Sequence, residues 1–208
     1  VSYSITHSRP TLRFAELLVA HAQRAASQPE PAGLAEDDLV AHEHRVADLA
    51  DAIAVALGWG GRRRELLWDA ARCHDEGKAL ISLEILEKPG SLTPQEYAEV
   101  TRHPVLGART LEPFLTIQQV GWVLHHHERW DGQGYPERLA RDDIPEGARI
   151  IAVADAWDAM TSRRCYRLPI GPAAAIAELW RCAGSQFDPE VVKALTRVGP
   201  HRPPISGR

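Results

Sequence analysis

The chain has 208 residues, of which 44% are hydrophobic and 25% charged; this suits one globular domain with a substantial core and excludes a disordered polymer. Its 24 basic and 28 acidic residues leave a formal charge of -4, without the basic excess of a protein that binds a nucleic-acid polymer. Three cysteines without CxxC spacing exclude a disulfide framework and a zinc ribbon. No signal peptide or long apolar run is seen, so a reduced, soluble, cytoplasmic protein that makes no membrane contact is expected.

In chain order, the first predicted element is an amphipathic helix over 11–26 (TLRFAELLVAHAQRAA), with Leu12, Ala15, Leu18, Val19 and Ala22 on one side. SQPEPAG at 27–33 breaks it. Residues 1–35 thus read as an N-terminal helix and linker: a tether, a dimerisation element or lid, or an ordinary extra helix. The main domain is placed at 36–200 and a tail at 201–208. A helix over 37–57 carries Val46, Leu49, Ile53 and Leu57 and stops at Gly58. The next runs over 61–76, with GRRRE at 61–65 as its solvated start and Gly77 as its end. TPQE at 93–96 is a capping box with Pro94 at the first helical position, opening a helix that ends near His103. Helices over 116–127 and 147–162 flank the Gly/Pro-rich segment 131–146. GPAAAIAELWRCAG and DPEVVKAL supply the last two. No alternating strand pattern appears, so the expected fold is all-α, a compact helical bundle with a Gly/Pro-rich functional loop.

Seven of the ten histidines lie between His42 and His127. Asp38, His42 and Val46 recur at intervals of four and share a helical stripe, while His44 points away. A satisfied core histidine is the bland reading of His42, but a buried acid on the same face needs a strong partner. His74 and Asp75 sit where a helix ends, with the Lys78 cation within a turn of the carboxylate; a surface ion pair would account for that pair equally well. His103 precedes Pro104, at a break in helical geometry. On one helix His125, His126 and His127 would stand about 100° apart, so two neighbours can face one point and three cannot. Which two is left open. Asp155 and Asp158 share a face with Ile151 and Ser162 in an apolar helix, where an acid must be paired or coordinated.

Taken in order, His42 with Arg45-Val46, His74-Asp75 with Gly77-Lys78, His103-Pro104, His126-His127-Glu128, Asp131-Gly132, Gly134-Tyr135-Pro136 and Asp155 resemble the HD-GYP family, a branch of the HD superfamily of metal-dependent phosphohydrolases. LEKPGSLTPQE before His103 and FDPEVV near the end extend the likeness over roughly residues 36–197. The resemblance implies an HD-type helical bundle whose metal ligands are His42, His74, Asp75, His103, His126, His127 and Asp155, with Asp75 bridging two divalent ions and His125 outside the motif. It suggests iron or manganese. Asp38 occupies the position from which some members hold a third metal, usually with Glu. Lys78 matches the catalytic lysine, acting with Asp75, and Arg164 and Arg167 match basic residues that clamp substrate phosphates. Tyr135 and Gly134 belong to the loop that shapes the pocket and in some members meets diguanylate cyclases.

The activity so implied is hydrolysis of cyclic di-GMP to pGpG, and in some members on to GMP, by a metal-bridging hydroxide. Two departures stand out: Glu76 where an apolar residue is usual, and Cys165 in place of a proline. Neither removes a ligand. The competing readings are a hydrolase of another cyclic dinucleotide, a metal-bearing receptor or scaffold without useful turnover, and a di-iron oxygenase. The intact ligands and Lys78 favour catalysis, and the arginines favour an anionic substrate. Regulation by a partner protein and assembly as a homodimer are further expectations.

Overall fold

Glycines and prolines cut this sequence into short helices, and the metal-ligand candidates fall at the cuts. The computed structural model describes residues 36–162 and 168–199, with side chains from residue 40 onward. The predicted helix at 11–26, its linker, the Asp38 side chain, Cys165 and the arginines Arg163, Arg164 and Arg167 lie outside the described residues, as does the tail.

The α-helices are α1 (Glu36–Ala56), α2 (Gly61–Arg72), α3 (Leu83–Leu86), α4 (Pro94–Val100), α5 (His103–Leu111), α6 (Ile117–Leu124), α7 (Glu146–Thr161), α8 (Pro172–Cys182) and α9 (Pro189–Val198). Short 3-10 turns occupy Glu76–Leu80 and Arg141–Asp143. Apart from an isolated bridge between Ala183 and Phe187, the described residues contain no β-structure. The all-α expectation therefore holds. No described helix is long and apolar enough to cross a membrane.

Helix α1 is the hub and packs on α2, α7 and α9, while α6 lies against α2, α5 and α7. Val46, Leu49 and Ile53 of α1 bury their stripe among Leu67 of α2, Val123 of α6, and Ile150, Ile151 and Ala154 of α7. Each such side chain contributes about 1.5–3 kcal/mol of burial, so the stripe that predicted α1 also fixes its rotation. His42 continues that stripe one turn back, and is thereby aimed inward.

Three predicted boundaries are corrected. The helix expected over 61–76 stops at Arg72, and the chain turns at Cys73, so His74 and Asp75 are free of helical geometry. The helix expected over 116–127 stops at Leu124, with His125 at φ -108° as its C-cap; the 100° spacing therefore does not apply to the triplet. His103 opens α5 instead of closing α4, because Pro104 fits a helix's first turn, where its missing N–H costs nothing. The capping box at Thr93 and Glu96 is formed as expected.

The GRRRE segment is more than a solvated start. Arg64 makes a bidentate pair with Asp51 at 2.8 and 2.6 Å. Arg63 lies 3.6 Å over the Trp59 ring and pairs with Glu146 at 2.7 Å. These contacts tie α2 to α1 and α7.

Candidate metal centre

His74, His103 and His126 each follow or open a helix, and each uses the same anchor. Their Nδ1 atoms lie 2.7, 2.8 and 2.6 Å from the carbonyl oxygens of Ala71, Val100 and Val123, three residues back in every case. Carbonyls at a helix C-terminus lack helical partners and so are available. A carbonyl only accepts, so Nδ1 carries a proton and Nε2 is the nitrogen left for a ligand.

Those Nε2 atoms converge on Asp75. His103 Nε2 is 3.2 Å and His126 Nε2 3.8 Å from Asp75 Oδ1. His74 Nε2 is 3.4 Å and His42 Nε2 4.0 Å from Oδ2. One carboxylate thus faces two groups, His42 with His74 on one side and His103, His126 and His127 on the other. Asp155 Oδ1 approaches the first group, 3.6 Å from His42 Nε2 and 3.9 Å from His74 Nε2. His74, His103 and His126 are buried, whereas the side chains of Asp155 and Lys78 remain 23% and 39% exposed. The site opens on that side.

The donors fit a cation. His74 Nε2 and Asp75 Oδ1 are buried without a hydrogen-bond partner, although both have polar atoms within 3.5 Å. These contacts fall short of hydrogen-bond geometry. Buried polar atoms left so are costly unless an ion completes them. Imidazole and carboxylate without thiolate suit first-row divalent metals.

The electrostatics favour the ligating forms of Asp75, His126 and His127. Burial opposes the charged form of Asp75, yet Lys78 at 2.6 Å and His74 outweigh it and hold the carboxyl well below its usual range. Burial together with His127 and His74 pushes His126 well down. Burial together with His103 takes His127 to about 3. His74 moves the other way: burial lowers it, but Asp75 raises it to about 9. A cation on its Nε2 would take the place of that proton. Perturbations concentrated on one cluster are characteristic of functional sites.

His127 stacks on Tyr135, with ring centroids 4.9 Å apart. The loop reaches it through Gly134, where a Cβ would fall 2.4 Å from Arg129 N and 2.6 Å from His127 O. No side chain fits that backbone contact. The peptide bond from Tyr135 to Pro136 is cis. His125 faces away: its Nδ1 lies 2.8 Å from Gly121 O and its Nε2 3.2 Å from Glu137. The described residues thus bring together His42, His74, Asp75, Lys78, His103, His126, His127, Asp155 and Tyr135.

Three residues that sequence reasoning gave no role support this cluster. Asp158 accepts from His42 Nδ1 at 2.7 Å and from Arg45 Nε at 2.6 Å. Burial opposes its charge, but these two bonds prevail and hold its carboxyl well below the ordinary range. Glu128 is buried and accepts the Glu137 amide at 2.7 Å, closing the Gly-Tyr-Pro loop on the histidine turn. Arg45 and Glu128 lie inside the quoted motifs, and in the sequence Asp158 reads only as an acid in need of a partner.

A helical bundle that gathers histidines around one shared carboxylate defines a metal-site class of all-α protein. An HD domain family model matches residues 15–191. The chain belongs to the HD domain family. It is 40% identical over 166 residues to a cyclic di-GMP phosphodiesterase of Thermotoga maritima, covering 77% of this chain and 45% of that protein. It is 37% identical over 158 residues to a 3'3'-cGAMP-specific phosphodiesterase of Vibrio cholerae, covering 74% and 30% respectively. The chain thus spans less than half the length of these curated relatives. Its fold is similar to that of a HDG"Y"P protein from Bdellovibrio bacteriovorus, with a TM-score of 0.64 at 22% identity over 77% of this chain and 52% of the other.

Proposed function

We propose that the chain is a metal-dependent phosphodiesterase that opens a cyclic dinucleotide, with cyclic di-GMP as substrate, pGpG as first product and GMP as a second. The observation that carries this reading is Asp75, whose two oxygens face two separate groups of histidines. His42, His74, Asp75 and Asp155 would hold one divalent ion, and Asp75, His103, His126 and His127 a second, with iron or manganese as the ions. Asp38 would serve a third. Two such ions would supply a hydroxide nucleophile and neutralise phosphate charge.

The chain's own residues would do the rest. Lys78 stands on the open side, 2.6 Å from Asp75 Oδ2, where its ammonium can follow charge building on the phosphoryl oxygens. Arg164 and Arg167 would clamp the second phosphate. Tyr135, stacked on His127, keeps that ring from rotating and walls the pocket beside Gly134. The same loop would be the contact for a diguanylate cyclase, and a homodimer is the proposed assembly.

Turnover of cyclic di-GMP by anaerobically purified protein, with metal counted on the same sample, tests the reading. Product from protein holding about two metals per chain supports it. Full loading without product transfers the proposal to 3'3'-cGAMP, the substrate named for one relative, or to a nucleotide receptor.

A further inference from the structure

We infer that Asp158 is a positioning residue of the proposed centre, fixing His42 with its Nδ1 proton inward and its Nε2 lone pair toward Asp75 and Asp155. This rests on the metal-centre reading above. The geometry follows from where His42 sits. His74, His103 and His126 borrow a free carbonyl at a helix end. His42 lies inside α1, where backbone carbonyls already accept helical N–H groups, so the backbone offers it no free acceptor. Asp158, 116 residues away on α7, takes that place at 2.7 Å.

Asp158 is itself fully committed. Oδ2 accepts from His42 Nδ1 and from Arg45 Nη2 at 3.1 Å. Oδ1 accepts from Arg45 Nε at 2.6 Å and from Ser162 Oγ at 2.7 Å. Four donors fill the approximately four acceptor positions of a carboxylate. The group therefore has no lone pair to give a metal and, being 6% exposed, no room to turn. Its neighbour Asp155, one helical turn earlier, is left as the ligand candidate. An anionic partner also makes the imidazole a stronger donor than a carbonyl does, so the His42 side of the centre depends on Asp158 while the His103–His126 side does not.

Zinc titration of the stripped full chain tests this, with His42→Ala as the reference. Asp158→Asn places an amide N–H against two of these donors, whichever oxygen it replaces, and set against His42 it favours the opposite tautomer. We expect it to weaken one zinc equivalent by about 10- to 100-fold, as changes to partners of metal-bound histidines do, and to leave the other unchanged. A wild-type isotherm for Asp158→Asn, with or without a lower melting temperature, overturns the inference if His42→Ala still loses its equivalent. If the wild-type chain takes up no zinc, the metal-centre reading falls and this inference with it. A second measurement needs no variant: proton–nitrogen correlation spectra of histidine-labelled, zinc-loaded wild-type protein. The His42 proton is expected on Nδ1, strongly downfield, and a proton on Nε2 overturns the proposal.

Discussion

His103 and His126 hold their Nε2 atoms 3.3 Å apart, although both rings already give their Nδ1 protons to carbonyl oxygens. In the neutral rings two lone pairs then face each other, which is unfavourable until a cation stands between them. Metal should accordingly stabilise the fold. With free ion at 100 times Kd, linkage contributes about 2.7 kcal/mol, or about 5–10 °C in melting temperature for a domain of this size. Thermal melts with and without a chelator check this, and His126→Ala should shrink the difference.

Asp75→Ala should abolish metal retention and turnover together, because Asp75 is the one residue common to both histidine groups. His125→Ala should change neither by more than a fewfold, since both its ring nitrogens face other acceptors. Metal analysis and turnover of the two variants decide the matter. Equal losses in both would overturn the assignment of His126 and His127 as the ligand pair.

Lys78→Met should separate chemistry from metal binding. A donor aimed at developing charge contributes about 100- to 1,000-fold in kcat, so that loss is expected with metal content and KM little changed. Metal loss matching that of Asp75→Ala would show that Lys78 acts only by holding Asp75.

Gly77 lies flat against α5, where a Cβ would fall 1.9 Å from His103 O and 2.6 Å from Gly107 N. Both neighbours are backbone and cannot step aside. Gly77→Ala should cost about 3 kcal/mol or more and displace His103. Gly121, inside α6 with open space around it, should gain about 0.5–1 kcal/mol on replacement by Ala. Urea midpoints of the two variants provide the comparison.

Asp69 gives the fold a pH dependence. Burial raises its carboxyl to about 6; Arg62 and Arg72 only partly offset this, and Glu65 adds to the rise. A raised carboxyl favours the protonated state of the folded protein. Its contribution is complete below the unfolded value of about 3.9 and is lost as pH rises through about 6. Asp69→Asn should therefore stabilise by about 1 kcal/mol at pH 8, after allowance for screening, and by less at pH 5. Denaturation at both pH values checks the sign. A gain that does not grow with pH would rule out this account.

Helix identity was legible wherever an apolar stripe recurred, as at Val46, Leu49 and Ile53, because burial and periodicity there are the same fact. Some helix ends were not. The stops before His74 and His125 depend on side chains that compete for terminal carbonyls, and periodicity carries no record of that competition. The inward aim of His42 could be read from its place on the stripe, whereas the choice of His126 and His127 came from resemblance alone. Asp158 stayed hidden for a simpler reason: its partner is 116 residues away, and a single sequence does not encode which two faces will meet.

The uneven exposure of the cluster has a kinetic consequence. With His74, His103 and His126 at 0–1% exposure and Asp155 and Lys78 at 23% and 39%, an ion would enter and leave past the same two side chains that the proposed substrate would meet. Anything seated there works as a stopper. On the proposed function, product left in place should slow the exchange of bound metal for isotope in solution, so the centre would lose metal most readily when idle and least readily while occupied.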